Sequence, residues 1–80
     1  MITPTQCRIA RAALGWSETE LAKAANVGVS TISRFELSQA RPQPASLGAI
    51  RHALETAGII FLNEGEIIEG GIGVRLKSSA

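Results

Sequence analysis

The sequence predicts a mainly α protein, a compact bundle of four to five helices followed by a short C-terminal β-hairpin or meander. Helix-start signals recur through the first 57 residues, apolar residues between them are spaced three and four apart, and after Gly58 the pattern turns β-branched and alternating. With 80 residues, 45% of them apolar and 19% charged, the chain has the balance of a folded domain with room for one small core and one site. The expected organisation is a helical unit over residues 1–57 and a β extension over 58–80 that packs on it, dimerises, or both.

Thr3-Pro4-Thr5-Gln6 joins a Thr N-cap to a proline at the first helical position and a Gln that reaches back to the cap. Cys7, Ala10 and Leu14 follow at helical spacing and Gly15 supplies a left-handed stop, so a first helix is expected over about 4–14. Ser17-Glu18-Thr19-Glu20 is a second capping box, flanked by Trp16 and Leu21 at the two positions of a hydrophobic staple. The second helix should cover about 18–25 and end at Asn26, a residue that tolerates positive φ. A third helix over about 29–37 starts at Gly28, which offers no side-chain cap, with Val27 and Ile32 as another staple. Arg41-Pro42-Gln43-Pro44 interrupts the helices until Pro44, at N1, opens a fourth over about 45–57 that presents Leu47, Ile50, Leu54 and Ala57 on one face. Ile59-Ile60-Phe61-Leu62 and the alternating Ile72, Val74 and Leu76 then read as strands.

Charge contributes little to a functional assignment. The formal balance is +1, with six basic residues against four acidic through Ala57 and two against three afterwards. A nucleic-acid function must therefore come from where residues sit rather than from bulk charge. The lone cysteine makes no internal disulfide, and there is no apolar run of membrane-spanning length, so the expectation is a soluble cytoplasmic chain that acts on no membrane. One His, one Cys and no Asp supply neither a nucleophile–base–orienter set nor a metal cluster, so no enzyme activity, metal or cofactor is expected. Cys7 reads as a small buried hydrophobe, with oxidation sensing as the alternative, and His52 as a surface or interface residue. A core this small is not expected to hold an effector pocket.

Two short helices joined by a turn of about three residues is the geometry that places a second helix in the DNA major groove. The residues strengthen it: Leu21, Ala22, Ala25, Val27 and Ile32 form a seam with small side chains where helices cross closely. Gly15-Trp16-Ser17-Glu18-Thr19-Glu20-Leu21-Ala22, Ala25-Asn26-Val27, Thr31-Ile32-Ser33-Arg34-Phe35-Glu36 and Arg41-Pro42 together resemble the XRE/Cro-like (lambda-repressor-like) helix-turn-helix family over roughly residues 5–57.

The resemblance implies a bundle that binds operator DNA, usually as a dimer, through its third helix. Carried over by position, Val29, Ser30, Ser33 and Arg34 would face the bases. Their chemistry suits that role, since Arg34 can donate two bonds to a guanine, the serines can bond either partner, and Val29 can touch a thymine methyl. Ser17, Glu18 and Thr19 at the start of the second helix, Gly28 and Thr31 at the start of the third, and Ser38, Gln39 and Arg41 behind it would meet phosphates. The resemblance also pairs Arg11 with Glu36 as a structural ion pair.

The sequence departs from the family pattern at four places. Glu18 stands where a Gln is usual, Asn26 and Ser38 replace glycines, and Gly28 replaces a Ser or Thr. A carboxylate at a phosphate contact favours the helix dipole but repels the DNA backbone, so modest binding by one protomer, reinforced by dimer avidity, is the expectation. The leading functional reading is a double-stranded DNA-binding transcriptional repressor that acts as a homodimer, assembled through the C-terminal strands with help from the fourth helix. The alternative reading is an antitoxin-like module whose tail binds a protein partner.

Overall fold

A computed structural model describes residues 2–61 and 74–76 of the chain, with side chains through Phe61. The elements in order are α1 (Pro4–Leu14), α2 (Glu18–Ala25), α3 (Val29–Glu36), α4 (Pro44–Thr56), β1 (Ile59–Phe61) and β2 (Val74–Leu76). Among the described residues there are thus four helices, and the strands form one antiparallel pair in which Ile59, Ile60 and Phe61 face Leu76, Arg75 and Val74. Leu62 and Ile72, read as strand residues from the sequence, lie outside the described residues.

Local chemistry sets the helix ends. The Thr3 hydroxyl accepts from the Gln6 N–H at 3.1 Å while the Gln6 side chain accepts from the Thr3 N–H at 3.0 Å, and Ser17 with Glu20 repeats the arrangement at 3.1 and 3.0 Å. Each box satisfies two backbone donors that the helix itself leaves unpaired. Asn26 closes α2 at φ 56°, which makes the α2–α3 junction a tight turn rather than a loop. Ser38 sits at φ 58°, a left-handed conformation that costs an L-residue energy glycine would not spend.

The far ends of α3 and α4 each fall one residue short of the sequence expectation. Leu37 is the cap of α3, not its last turn, and Ala57 is likewise the cap of α4, while Pro44 occupies N1 as expected, where no N–H is needed.

The core collects Cys7 and Ala10 of α1, Leu21, Ala22 and Ala25 of α2, Ile32 and Phe35 of α3, and Leu47, Ile50, Ala53 and Leu54 of α4. Ile59 of β1 joins them, and Trp16, Val27 and Phe61 pack on the cluster from its edge. On α4 it is Ala53, not Ala57, that is buried beside Leu54; Ala57 is a half-buried cap residue. Ile2, ahead of the first cap, is 4% exposed and seals the end of the bundle. α2 packs against both α3 and α4, α1 crosses α3 and lies beside β2, and β1 lies along α4. The strand pair is therefore attached to the bundle on both sides, which a three-residue hairpin needs in order to persist. Arg51 of α4 stacks over the Phe61 ring at 5.1 Å from its centroid, tying β1 further to the helix.

Candidate nucleic-acid interface

α3 is eight residues long and divides sharply by face. Ile32, Phe35 and Glu36 point into the protein, whereas Ser30 and Arg34 are exposed on the opposite side and Val29 is 47% exposed at the start. At 3.6 residues per turn, Ser30, Ser33 and Arg34 fall on one outward surface, with Ser33 half-buried at its border. The four residues expected to read bases thus belong to one continuous face, and Val29 lies nearest its edge.

What holds this face in place is a cluster around Glu36, whose side chain is only 3% exposed. Arg11 of α1 donates two hydrogen bonds to its carboxylate, from Nε and Nη2, both at 2.7 Å, and a third from Nη1 to the Trp16 carbonyl at 2.9 Å. The Cys7 thiol donates to the same carboxylate at 3.2 Å. One guanidinium therefore fixes the end of α3, the body of α1 and the entry to α2 relative to one another. Burial alone would raise the Glu36 pKa, but the hydrogen bonds from Arg11 and Cys7, together with the Arg11 charge, outweigh it and hold the carboxyl below its ordinary value. The hydrogen bond to Glu36 raises Arg11, against the opposing effect of burial, and the nearby carboxylates of Glu36 and Glu18 add to the rise. Burial, then the Glu36 carboxylate, pushes the Cys7 thiol far up, so it stays protonated and inert as a nucleophile.

The ion pair of Arg11 and Glu36 is the one the family resemblance implies. The thiol donor and the bond to the Trp16 carbonyl were not expected. Cys7 and Arg11 are four residues apart and share one face of α1, which is the signal that could have placed the thiol at the same carboxylate.

The residues expected at phosphates gather around the two ends of α3 and the start of α2. Ser17 and Thr19 are exposed and Glu18 is half-buried, close enough to Arg11 to act on it electrostatically. Gly28 gives α3 no side-chain cap, so of the first-turn N–H groups Thr31 N donates to the Gly28 carbonyl at 3.0 Å, while those of Val29 and Ser30 have no partner within the helix. Thr31 beside them is half-buried. Behind α3 the connection folds back on the helix: Ser38 N donates to the Phe35 carbonyl at 3.0 Å, and Gln39 N and Ala40 N to the Arg34 carbonyl at 2.8 and 3.3 Å. Ser38, Gln39 and Arg41 are exposed on it, and Gln39 and Arg41 line a surface groove of about 480 Å³ that separates this connection from the start of α1. His52 is exposed on α4, away from these positions in sequence. Among the described residues no group of three or more His, Cys, Asp or Glu side chains could hold a metal ion, and no helix is long and apolar enough to cross a membrane.

Two helices joined at a tight left-handed turn, the second presenting a polar face over a buried ion pair, define a helix-turn-helix DNA-binding domain. The sequence matches the helix-turn-helix family model over residues 8–57, more than half of its length, and the chain belongs to the XRE family of Cro/C1-type helix-turn-helix proteins, a family of DNA-binding transcription regulators. A search of the curated proteins finds no match to the sequence.

Proposed function

We propose that this protein is a repressor that acts in the cytoplasm and binds an inverted-repeat operator in double-stranded DNA as a homodimer. The observation that carries the reading is the outward face of α3, with Ser30 and Arg34 exposed over a Glu36 carboxylate held by three donors. In the major groove Arg34 pairs with guanine O6 and N7, Ser30 and Ser33 bond a neighbouring base or phosphate, and Val29 meets a thymine methyl. Ser17, Thr19 and Arg41, with the backbone donors that follow Gly28, grip the flanking phosphates, while Glu18 weakens that grip. Residues 58–80 act with the bundle of 1–57 rather than apart from it, and a second copy pairs through the strands. Support for that comes from the two-stranded sheet, in which each strand has one unpaired edge among the described residues and Ile60 is 39% exposed. Two copies would place half-site centres about 34 Å apart.

Selection of bound duplexes from a random DNA pool with the full chain, at low and moderate salt, tests the reading. The expected product is a palindrome with a guanine in each half-site whose selection is lost in Arg34→Ala. Recovery of no preferred sequence would overturn the repressor assignment and turn attention to a protein partner of the tail.

A further inference from the structure

Leu37 is 60% exposed, more than any other large apolar side chain among the described residues, and it does not stand at random. Its N–H donates to the Ser33 carbonyl at 3.1 Å, as a helical residue's would, so the course of α3 still sets the direction of its side chain before Ser38 turns the chain away at φ 58°. It follows Ser30 by seven residues and Arg34 by three. Those spacings put all three in one column on the side of α3 opposite Ile32 and Phe35. Whatever covers Arg34 and Ser30 also covers Leu37.

We propose that Leu37 is a specificity determinant of this face, packing against the 5-methyl group of a thymine in the major groove. The inference rests on the DNA-reading role given to α3 above. A leucine laid against phosphates gains nothing, whereas against a thymine methyl both partners lose apolar surface to water, and the methyl is the one apolar feature the major groove offers. Seven residues of helix span roughly 10 Å, so the thymine lies about three base-pair steps of ~3.4 Å from the base under Ser30. The half-site would then carry apolar contacts towards both ends of α3, from Val29 and from Leu37, with the Arg34 guanine between them.

The test uses the full chain and the duplex recovered by selection, with each thymine replaced in turn by deoxyuridine, which removes only the 5-methyl group. Replacement of the thymine at that distance should weaken the wild-type protein about fourfold, the worth of one buried methyl. Leu37→Ala should bind the parent duplex at least fourfold more weakly and be indifferent to that same replacement, while its thermal midpoint stays that of the wild type because the side chain is exposed. The proposal is overturned if Leu37→Ala binds the parent duplex like wild type, if every replacement affects both proteins equally, or if the recovered half-site has no thymine at that distance. A loss of dimer by Leu37→Ala in sedimentation, with no thymine coupled to it, would assign the side chain to the contact between copies instead. If the wild-type protein selects no sequence at all, the DNA-reading role fails first and this proposal with it.

Discussion

Glu36 is the residue on which the orientation of α3 depends, because its buried carboxylate satisfies donors from two places on α1. Glu36→Gln keeps the size and removes the charge that Arg11 was placed to meet, and should cost about 2–3 kcal/mol at neutral pH. The pH dependence follows from the direction of the shift. The folded carboxyl titrates below its ordinary value of 4.5, so its contribution is complete above that value and disappears as the pH falls through the folded pKa. Urea unfolding of both proteins at pH 7 and pH 3 checks this: the gap between them should shrink in acid, and a gap that is equal at both would mean the charge is not what stabilises. Glu18 calls for the opposite experiment. Its carboxylate stands at the expected phosphate contact, so Glu18→Gln should tighten binding to selected and scrambled duplexes alike, by about two- to fivefold, since a backbone contact carries no sequence information. Unchanged affinity for both duplexes would mean that Glu18 serves Arg11 and does not face DNA. Roles of this kind were partly readable in the residues. A charged pair announces itself by family pattern, whereas a thiol donating to a carboxylate 29 positions away leaves only the weak signal that Cys7 shares a helix face with Arg11.

Helix boundaries were the most readable feature, because each depends on a few neighbouring side chains: two capping boxes, a proline at N1, and Gly15 and Asn26 in left-handed caps. Where the chemistry was weaker the boundary moved, as at the α3 end, which no glycine marks and which Ser38 closes at a cost. Ser38→Gly should relieve that conformation and raise stability by up to about 1 kcal/mol, the gain being reduced by the greater freedom glycine has when unfolded. α4 carries the reverse defect. Gly48 lies in its middle and is exposed, and a Cβ built there meets nothing within 4 Å. Gly48→Ala should therefore stabilise the helix by about 0.8–1 kcal/mol and raise the thermal midpoint by several degrees. If the midpoint is unmoved while DNA affinity or dimer formation falls, the bare surface at Gly48 is needed for close approach of a second copy. The strand pair was readable only as a β tendency; its register depends on the contacts of β1 with α4 and β2 with α1, which no local pattern encodes.

For the protein as a whole, the near-zero balance of charge sets how DNA binding should respond to salt. Each phosphate neutralised by a basic side chain steepens the fall of log Kobs with log salt by about 0.9, so a strongly basic regulator loses affinity quickly as salt rises. In the proposed interface Arg41 is the one cation among the residues assigned to phosphates, and Arg34 is assigned to the bases; the remaining proposed phosphate donors are hydroxyls, an amide and backbone N–H groups, which release no counterions. A dimer should accordingly show a slope of only about −2 to −4. Binding of a selected duplex measured from 50 to 300 mM KCl, a range set by the ordinary working span of the effect, gives that slope directly. A value steeper than about −6 would require Arg8, Lys23 or Arg51 to reach the backbone as well, and the footprint drawn around α3 would have to widen. A shallow slope has a further consequence. Non-specific binding depends almost wholly on counterion release, so a protein with few such contacts binds arbitrary DNA weakly and must obtain affinity from base contacts and from two copies acting together. The apolar contacts proposed for Val29 and Leu37 would involve no counterion release, and they should make up a growing share of the binding as salt rises.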